Sequence, residues 1–225
     1  YKSAQNDKNP FVSADTNSGY PGIGGANDVW KNMQWYASAD YDYQNRYFAT
    51  VSLLAEANSR FGENASGALK AFGTQWAIFP SVQLGWVMSN ENWFPKNNIV
   101  NYLRVNAGFD ISGNDGIDNY AALTSFNAIR FNGDAIGVQL TNIGNDKIKW
   151  ETTNKLNFGF QANMLNNRVG VNFNYFIHKT NDLLTLVNFS TPISGINNYW
   201  TNGGKLENKG FEATVTGKPI VAKNL

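Results

Sequence analysis

Residues 150–179, WETTNKLNFGFQANMLNNRVGVNFNYFIHK, limit the possible folds of this chain more than any other stretch. Leu156, Phe158, Phe160, Ala162 and Met164 occupy every second position, with Lys155, Asn157, Gly159, Gln161 and Asn163 between them. After Asn166-Asn167 the pattern resumes, with Val169, Val171, Phe173, Tyr175 and Ile177 alternating with Gly170, Asn172, Asn174, Phe176 and His178. Successive side chains of a strand point to opposite faces, so each run has one apolar and one polar face. Asparagine tolerates positive φ, and the Asn-Asn pair predicts a two-residue primed turn between two antiparallel strands. Strands in globular proteins run about five or six residues. A tilted strand that crosses a bilayer needs about 9–11, apolar towards lipid and polar towards the lumen. The hairpin therefore fits a membrane barrel or a large soluble β-sandwich.

The same alternation recurs along the chain. It predicts a hairpin over 32–56 with a tight turn at Gln44-Asn45, strands over 76–88 and 100–111, and a last strand over 205–216. With the two strands of the 150–179 hairpin, these make about seven. Residues 1–31 have no period and read as a loop, and 217–225 read as a turn into a following strand. The connections alternate in length: 44–45, 89–99 and 166–167 are short, whereas 57–75, 112–148 and 180–203 are long. Weak strand signals lie within the last two, at 135–140 and 183–189. Outer-membrane barrels have short turns on one side and long loops on the other. Structureless loops beyond about 12–15 residues are uncommon in compact domains. Trp35, Tyr43, Tyr47, Trp86, Trp93, Phe94 and Trp150 fall near strand ends, where interfacial girdles are built. The fold class expected is all-β: an antiparallel up-and-down transmembrane β-barrel, present as a partial wall.

Composition narrows the function. Charged residues are 16% and the net charge is +1, which for the chain as a whole gives no strong attraction to nucleic acid or anionic lipid. There is no cysteine, so neither disulfides nor thiolate metal sites are expected. No apolar run approaches the roughly 18 residues of a membrane helix, a test that β-strands do not face. The chain starts at Tyr1 and stops just after GKPIVAKN, and is expected to be a piece of a longer protein.

Four segments in order carry a family resemblance. They are SRFGENA at 59–65 with FPSVQLGWVMSNENWF at 79–94, and LRVNAGFDISGNDGIDNY at 103–120. The others are DKIKWETTNKLNFGF at 146–160 with NNR at 166–168 and YFIHKTNDLL at 175–184, and NGGKLENKGFEATV at 202–215. Over about 32–216 the chain resembles the SusC/RagA-like TonB-dependent outer-membrane transporters of the Bacteroidetes. Where that family usually has Arg-x-Asp-Gly before its Ser-Arg-Phe-Gly loop, this chain has Leu54-Ala55-Glu56-Ala57. The resemblance implies a barrel of about 22 strands closed by a plug, a plug this chain lacks. It implies uptake of oligosaccharides or peptides across the outer membrane, coupling to the TonB complex, and a SusD-like surface lipoprotein as partner. A passive porin or outer-membrane adhesin, and a soluble β-sandwich carbohydrate-binding module, are the competing readings.

Catalysis is not expected, nor is a cofactor or a metal. His178 is a single histidine at a strand end. Asp40 and Asp42 could imitate a glycosidase carboxylate pair, but the lining of a polar lumen accounts for them more simply. DISGNDGID at 110–118 is similar to a calcium loop, yet Asp115 stands where the EF-hand needs glycine and Ala121 where it needs glutamate. GYPGIGG at 19–25 neither follows a strand nor opens a helix, as a nucleotide fingerprint must. The ligand-contact candidates are Asn197, Asn198, Tyr199 and Trp200, expected in a long loop. There the aromatic faces suit apolar C–H surface and the amides suit hydroxyl or peptide groups.

Overall fold

A computed structural model describes residues 28–219 apart from 96, 98, 132–134 and 194–195. Most of the 1–31 loop, GYPGIGG at 19–25 and the end of the 217–225 turn lie outside the described residues. The wall consists of β1 (Asn32–Tyr43), β2 (Tyr47–Asn58), β4 (Thr74–Val87), β5 (Val100–Asn114), β8 (Glu151–Met164), β9 (Val169–Asn181) and β12 (Lys205–Gly217). They pair antiparallel in that order, each with the wall strand before it, giving an up-and-down sheet. Among the described residues β1 pairs only with β2 and β12 only with β9.

The long connections contain structure of their own. In 57–75, β3 (Leu69–Ala71) pairs with the start of β4 around Phe72 and Gly73, both at positive φ. The 112–148 stretch, expected as loop with one marginal strand, holds a hairpin of β6 (Ser125–Phe131) and β7 (Ala135–Asn142). The 180–203 stretch holds a second, β10 (Leu184–Ile193) with β11 (Ile196–Asn202). The β8–β9 turn is also wider than two residues: Met164 pairs with Val169, and Leu165, Asn166 and Asn167 all have positive φ.

Register aligns the faces from strand to strand. One row runs Tyr41, Ala49, Leu84, Ala107, Phe158 and Tyr175 to Phe211, all on the same side of the sheet. That face is apolar and uncovered: Val51, Leu84, Phe109, Phe158 and Phe211 are 41–71% exposed. A contiguous exposed apolar surface marks contact with a membrane or a partner.

The buried core lies at the long-loop end. Phe61, Ile117, Ala121, Ala122, Ile148 and Trp150 pack there against Ala77 and Phe79 of β4. The β4–β5 ladder starts at Ser81, just after Pro80, which has no N–H to donate. The phenyl of Phe79 lies where a side chain at Gly113 of β5 would stand. Trp150 belongs to this core, 3% exposed and stacked on Phe61 at 4.0 Å, and not to a girdle. β8 begins only at Glu151, so the strand alternation does not extend to Trp150.

Candidate functional site

The polar face carries the side chains available to a ligand. Register puts Thr50, Gln83, Arg104, Asn106, Gln161, Asn172, Asn174 and Glu212 on one side, around a recess of about 550 Å³ that all of them line. Glycines let some of them lie flat. Arg104 covers Gly85 and Gln83 covers Gly108, so a Cβ at either glycine would collide with them. The Arg104 guanidinium is 5.1 Å from the centre of the Phe48 ring, within cation–π range. Among the described residues the amides of Gln83, Asn106, Gln161, Asn172 and Asn174 make no hydrogen bond to protein.

Several asparagines at the loop end behave differently, because they are engaged in hydrogen bonds within the protein. Asn202 donates to the carbonyls of Lys149 and Asp182 at 2.8 and 2.9 Å and accepts from the Lys149 N–H at 2.9 Å. Asn142 donates to the Leu123 carbonyl at 2.7 Å, and Asn64 to the Asp146 carboxylate at 2.7 Å. Arg60 stacks on Trp30 at 4.4 Å and donates to Asn119 at 2.9 Å. Asp115 accepts from Asn58 at 2.7 Å.

Asn197, Asn198, Tyr199 and Trp200 lie on β11, and the first of them only as backbone is described. Asn198 pairs with Asn188 and is exposed; Tyr199 pairs with Val187 and is half-buried. Trp200 packs against the loop core and donates its indole N–H to Asp118 at 2.9 Å. The Trp200 carbonyl accepts from Asn145 at 3.1 Å. The site thus brings Trp200 together with the aspartate-rich stretch, a contact 82 positions long. Of the other candidates, Asp40 accepts from Thr50 at 2.6 Å and Asp42 from the Asn45 N–H at 3.0 Å, which braces the β1–β2 turn. The His178 ring lies 5.0 Å from that of Phe176.

Sequence reading missed a node at the short-turn end. Glu91, 7% exposed, accepts from the Tyr47 hydroxyl at 2.6 Å, the Trp86 indole at 3.0 Å and Arg46 at 3.4 Å. Those hydrogen bonds, Tyr47's first and Trp86's second, hold the Glu91 carboxyl below its ordinary range, and the Arg46 charge adds to them. Tyr43, Tyr47, Trp86, Trp93 and Phe94 form a chain of ring contacts 6.0–6.4 Å apart. Only the aromatics signalled this girdle in the sequence; its carboxylate centre depends on register.

Residues 1–220 match the family model described as TonB dependent receptor-like, beta-barrel. TonB-dependent receptor P39 of Formosa agariphila is 32% identical over 188 residues, 82% of this chain and 17% of that protein. TonB-dependent receptor SusC of Bacteroides thetaiotaomicron is 28% identical over 199 residues, 85% of this chain and 19% of that protein. A structure of the RagAB peptide transporter superposes with a TM-score of 0.72 at 25% identity, covering 87% of this chain and 20% of that one. Its importer in the open-open state superposes at 0.74 with 23% identity, covering 92% and 22%. The chain spans less than a quarter of the length of each of these relatives. An exposed apolar face, an amide-lined face opposite it and long structured connections at one end are what a segment of such a wall requires, and the chain belongs to the TonB-dependent receptor-like β-barrel family, with SusC and RagA-like proteins among its relatives.

Proposed function

We propose that this chain is part of the wall of an outer-membrane importer, taking up oligosaccharides or peptides with energy delivered through TonB. The observation that carries the reading is the two-faced sheet. Its apolar face is suited to lipid, and its opposite face presents amides that hydrogen-bond nothing else in the described protein. Amides and a guanidinium can hold hydroxyl, peptide or carboxylate groups by several weak contacts, which is what a cargo path needs. In this reading the chain contributes no bond-making chemistry. The likeness to SusC and to the RagAB importer supports a SusD-like surface lipoprotein as partner.

The β10–β11 hairpin is the proposed contact point at the mouth. Trp200 fixes the hairpin through Asp118, Asn198 offers an exposed amide, and Asn197 and Tyr199 flank it.

The test is uptake of labelled peptides and labelled oligosaccharides by cells with and without the full-length gene, each with and without an uncoupler of the proton gradient. Gene-dependent entry of one cargo class that the uncoupler abolishes is expected. Entry that survives the uncoupler would make the protein a passive porin, and surface binding without entry an adhesin. Recovery of the protein in the aqueous fraction would overturn the membrane reading itself.

A further inference from the structure

The apolar face ends abruptly on β9 and β12. Val169, Val171, Phe173, Tyr175 and Ile177 on β9 are followed on the same face by Lys179, and Val215, Ala213 and Phe211 on β12 by Lys209, Glu207 and Lys205. Register sets Glu207 opposite Lys179, Lys209 opposite Ile177, and Asn154 of β8 on the other side of Lys179. Glu207 lies 3.3 Å from the Lys179 ammonium and 3.6 Å from that of Lys209. Among the described residues this patch holds three lysines, Lys179, Lys205 and Lys209, and one carboxylate, Glu207, which leaves it positively charged. Asp182, close by in sequence, is engaged by Lys149 at 2.9 Å. The Lys179 and Lys209 side chains are 58% and 66% exposed, leaving donors on each ammonium for an outside acceptor.

Its place matters as much as its charge. The patch is on the face read as lipid-facing, at the long-loop end and directly above Phe211, Tyr175 and Ile177. Lysines on that face are costly within hydrocarbon but favourable at the interface, where an anionic headgroup meets them. A lipid with acyl chains lying on Phe211 and Tyr175 would bring its headgroup to this level.

We propose that Lys179 and Lys209, which share Glu207, together with Lys205 further along the same face and Asn154 beside Lys179, form a binding site for the phosphate of an outer-leaflet glycolipid headgroup. This rests on the outer-membrane reading above. The ammoniums supply charge-assisted hydrogen bonds to phosphate oxygens, and the apolar face below takes the acyl chains.

The experiment uses the full-length protein purified from outer membranes in mild detergent and stripped of lipid. Binding of phosphorylated lipid A, of the same lipid with its phosphates removed, and of inorganic phosphate is measured by native mass spectrometry. Phosphorylated lipid A should bind the wild type at least about tenfold more tightly than a variant carrying Lys179→Gln, Lys205→Gln and Lys209→Gln. The matching Lys→Arg variant should retain binding, and neither dephosphorylated lipid nor inorganic phosphate should compete. Equal binding to the Gln variant, or equal binding of dephosphorylated lipid, would overturn the site. Saturation by inorganic phosphate alone would make it a soluble-anion site and overturn the lipid assignment. If the triple variant fails to assemble, Lys209→Gln alone should still lower the affinity, and an unchanged affinity would count against the proposal. A protein absent from outer membranes would instead defeat the underlying functional reading, so the two failures are distinguishable.

Discussion

The Tyr47 hydroxyl donates to the Glu91 carboxylate at 2.6 Å across 44 positions of sequence. This bond joins the first wall hairpin to the β4–β5 turn, and Asn90 adds a second link by donating to the Asn45 carbonyl at 2.7 Å. Because its hydrogen bonds hold Glu91 below its ordinary range, the folded protein binds this proton less tightly than the unfolded chain does. The stabilisation is therefore fully present above the unfolded carboxylate value, about 4.3, and disappears as pH falls through the lowered folded value. The pH at which unboiled protein loses its folded mobility in SDS should show this acid step. Glu91→Gln should lower stability at neutral pH and remove that part of the acid dependence; an identical acid profile in the variant would refute the assignment.

Phe158 and Asn157 test which face meets lipid, since neighbours on one strand point to opposite sides. Phe158→Lys should cost about 2–4 kcal/mol of unfolding free energy in bilayers, as a cation at mid-membrane does. Asn157→Lys should cost well under half of that. Urea unfolding in phospholipid vesicles gives both numbers, and a reversed order would exchange the two faces.

Gly62 approaches the carbonyl of Asp146 so closely that a Cβ would overlap it, while its N–H donates to Ile148 at 2.9 Å. The glycine lets the Ser59–Gly62 corner lie flat against the turn at Asp146 and Lys147. Gly62→Ala should therefore weaken the loop core by about 1–3 kcal/mol, the usual cost of overpacking. Hydrogen exchange would register it as faster exchange at Ile148 and Asn64, with the wall strands unchanged.

Trp200→Phe retains most of the packing but removes the N–H that Asp118 accepts. A loss of about 1 kcal/mol in the local stability of the hairpin is expected. If Trp200 anchors while its neighbours touch cargo, this variant should keep the cargo affinity within a few-fold, whereas Asn198→Ala and Tyr199→Ala should lower it. Affinity measured by calorimetry separates the two roles: a collapse with Trp200→Phe alone would make the indole itself the contact.

The wall was readable in the sequence because alternation is a local property. Leu156 to Met164 and Val169 to Ile177 reveal their faces without reference to any other strand. The loop core was not readable, since Phe61, Ile117 and Ile148 stand singly among polar residues and have no period. SFNAIRF at 125–131 has no strict apolar–polar alternation in its sequence, so nothing in it marks one apolar face. At the candidate site the aromatics were visible but their partners were not: Asp118 is far from Trp200 in sequence, and Glu91 meets Tyr47 only through strand register. The β8–β9 turn shows a further limit, for Asn166-Asn167 signals a turn but leaves its width open, and Leu165 joins it in a backbone conformation that leucine seldom adopts.

The order of pairing has a kinetic consequence. Within these seven strands each wall strand pairs with the wall strand that precedes it, and β6–β7 and β10–β11 fold as local hairpins inside the connections. No pairing in the segment skips a wall strand, and the widest gap, between Asn114 and Glu151, is shortened by the β6–β7 hairpin inside it. The sheet can grow by one strand at a time, always presenting a single fresh edge to the next. The slow, non-local step is then deferred to the seam where the first and last strands of a complete barrel meet, and substitutions within this segment should alter how long the wall lasts more than how quickly it is laid down.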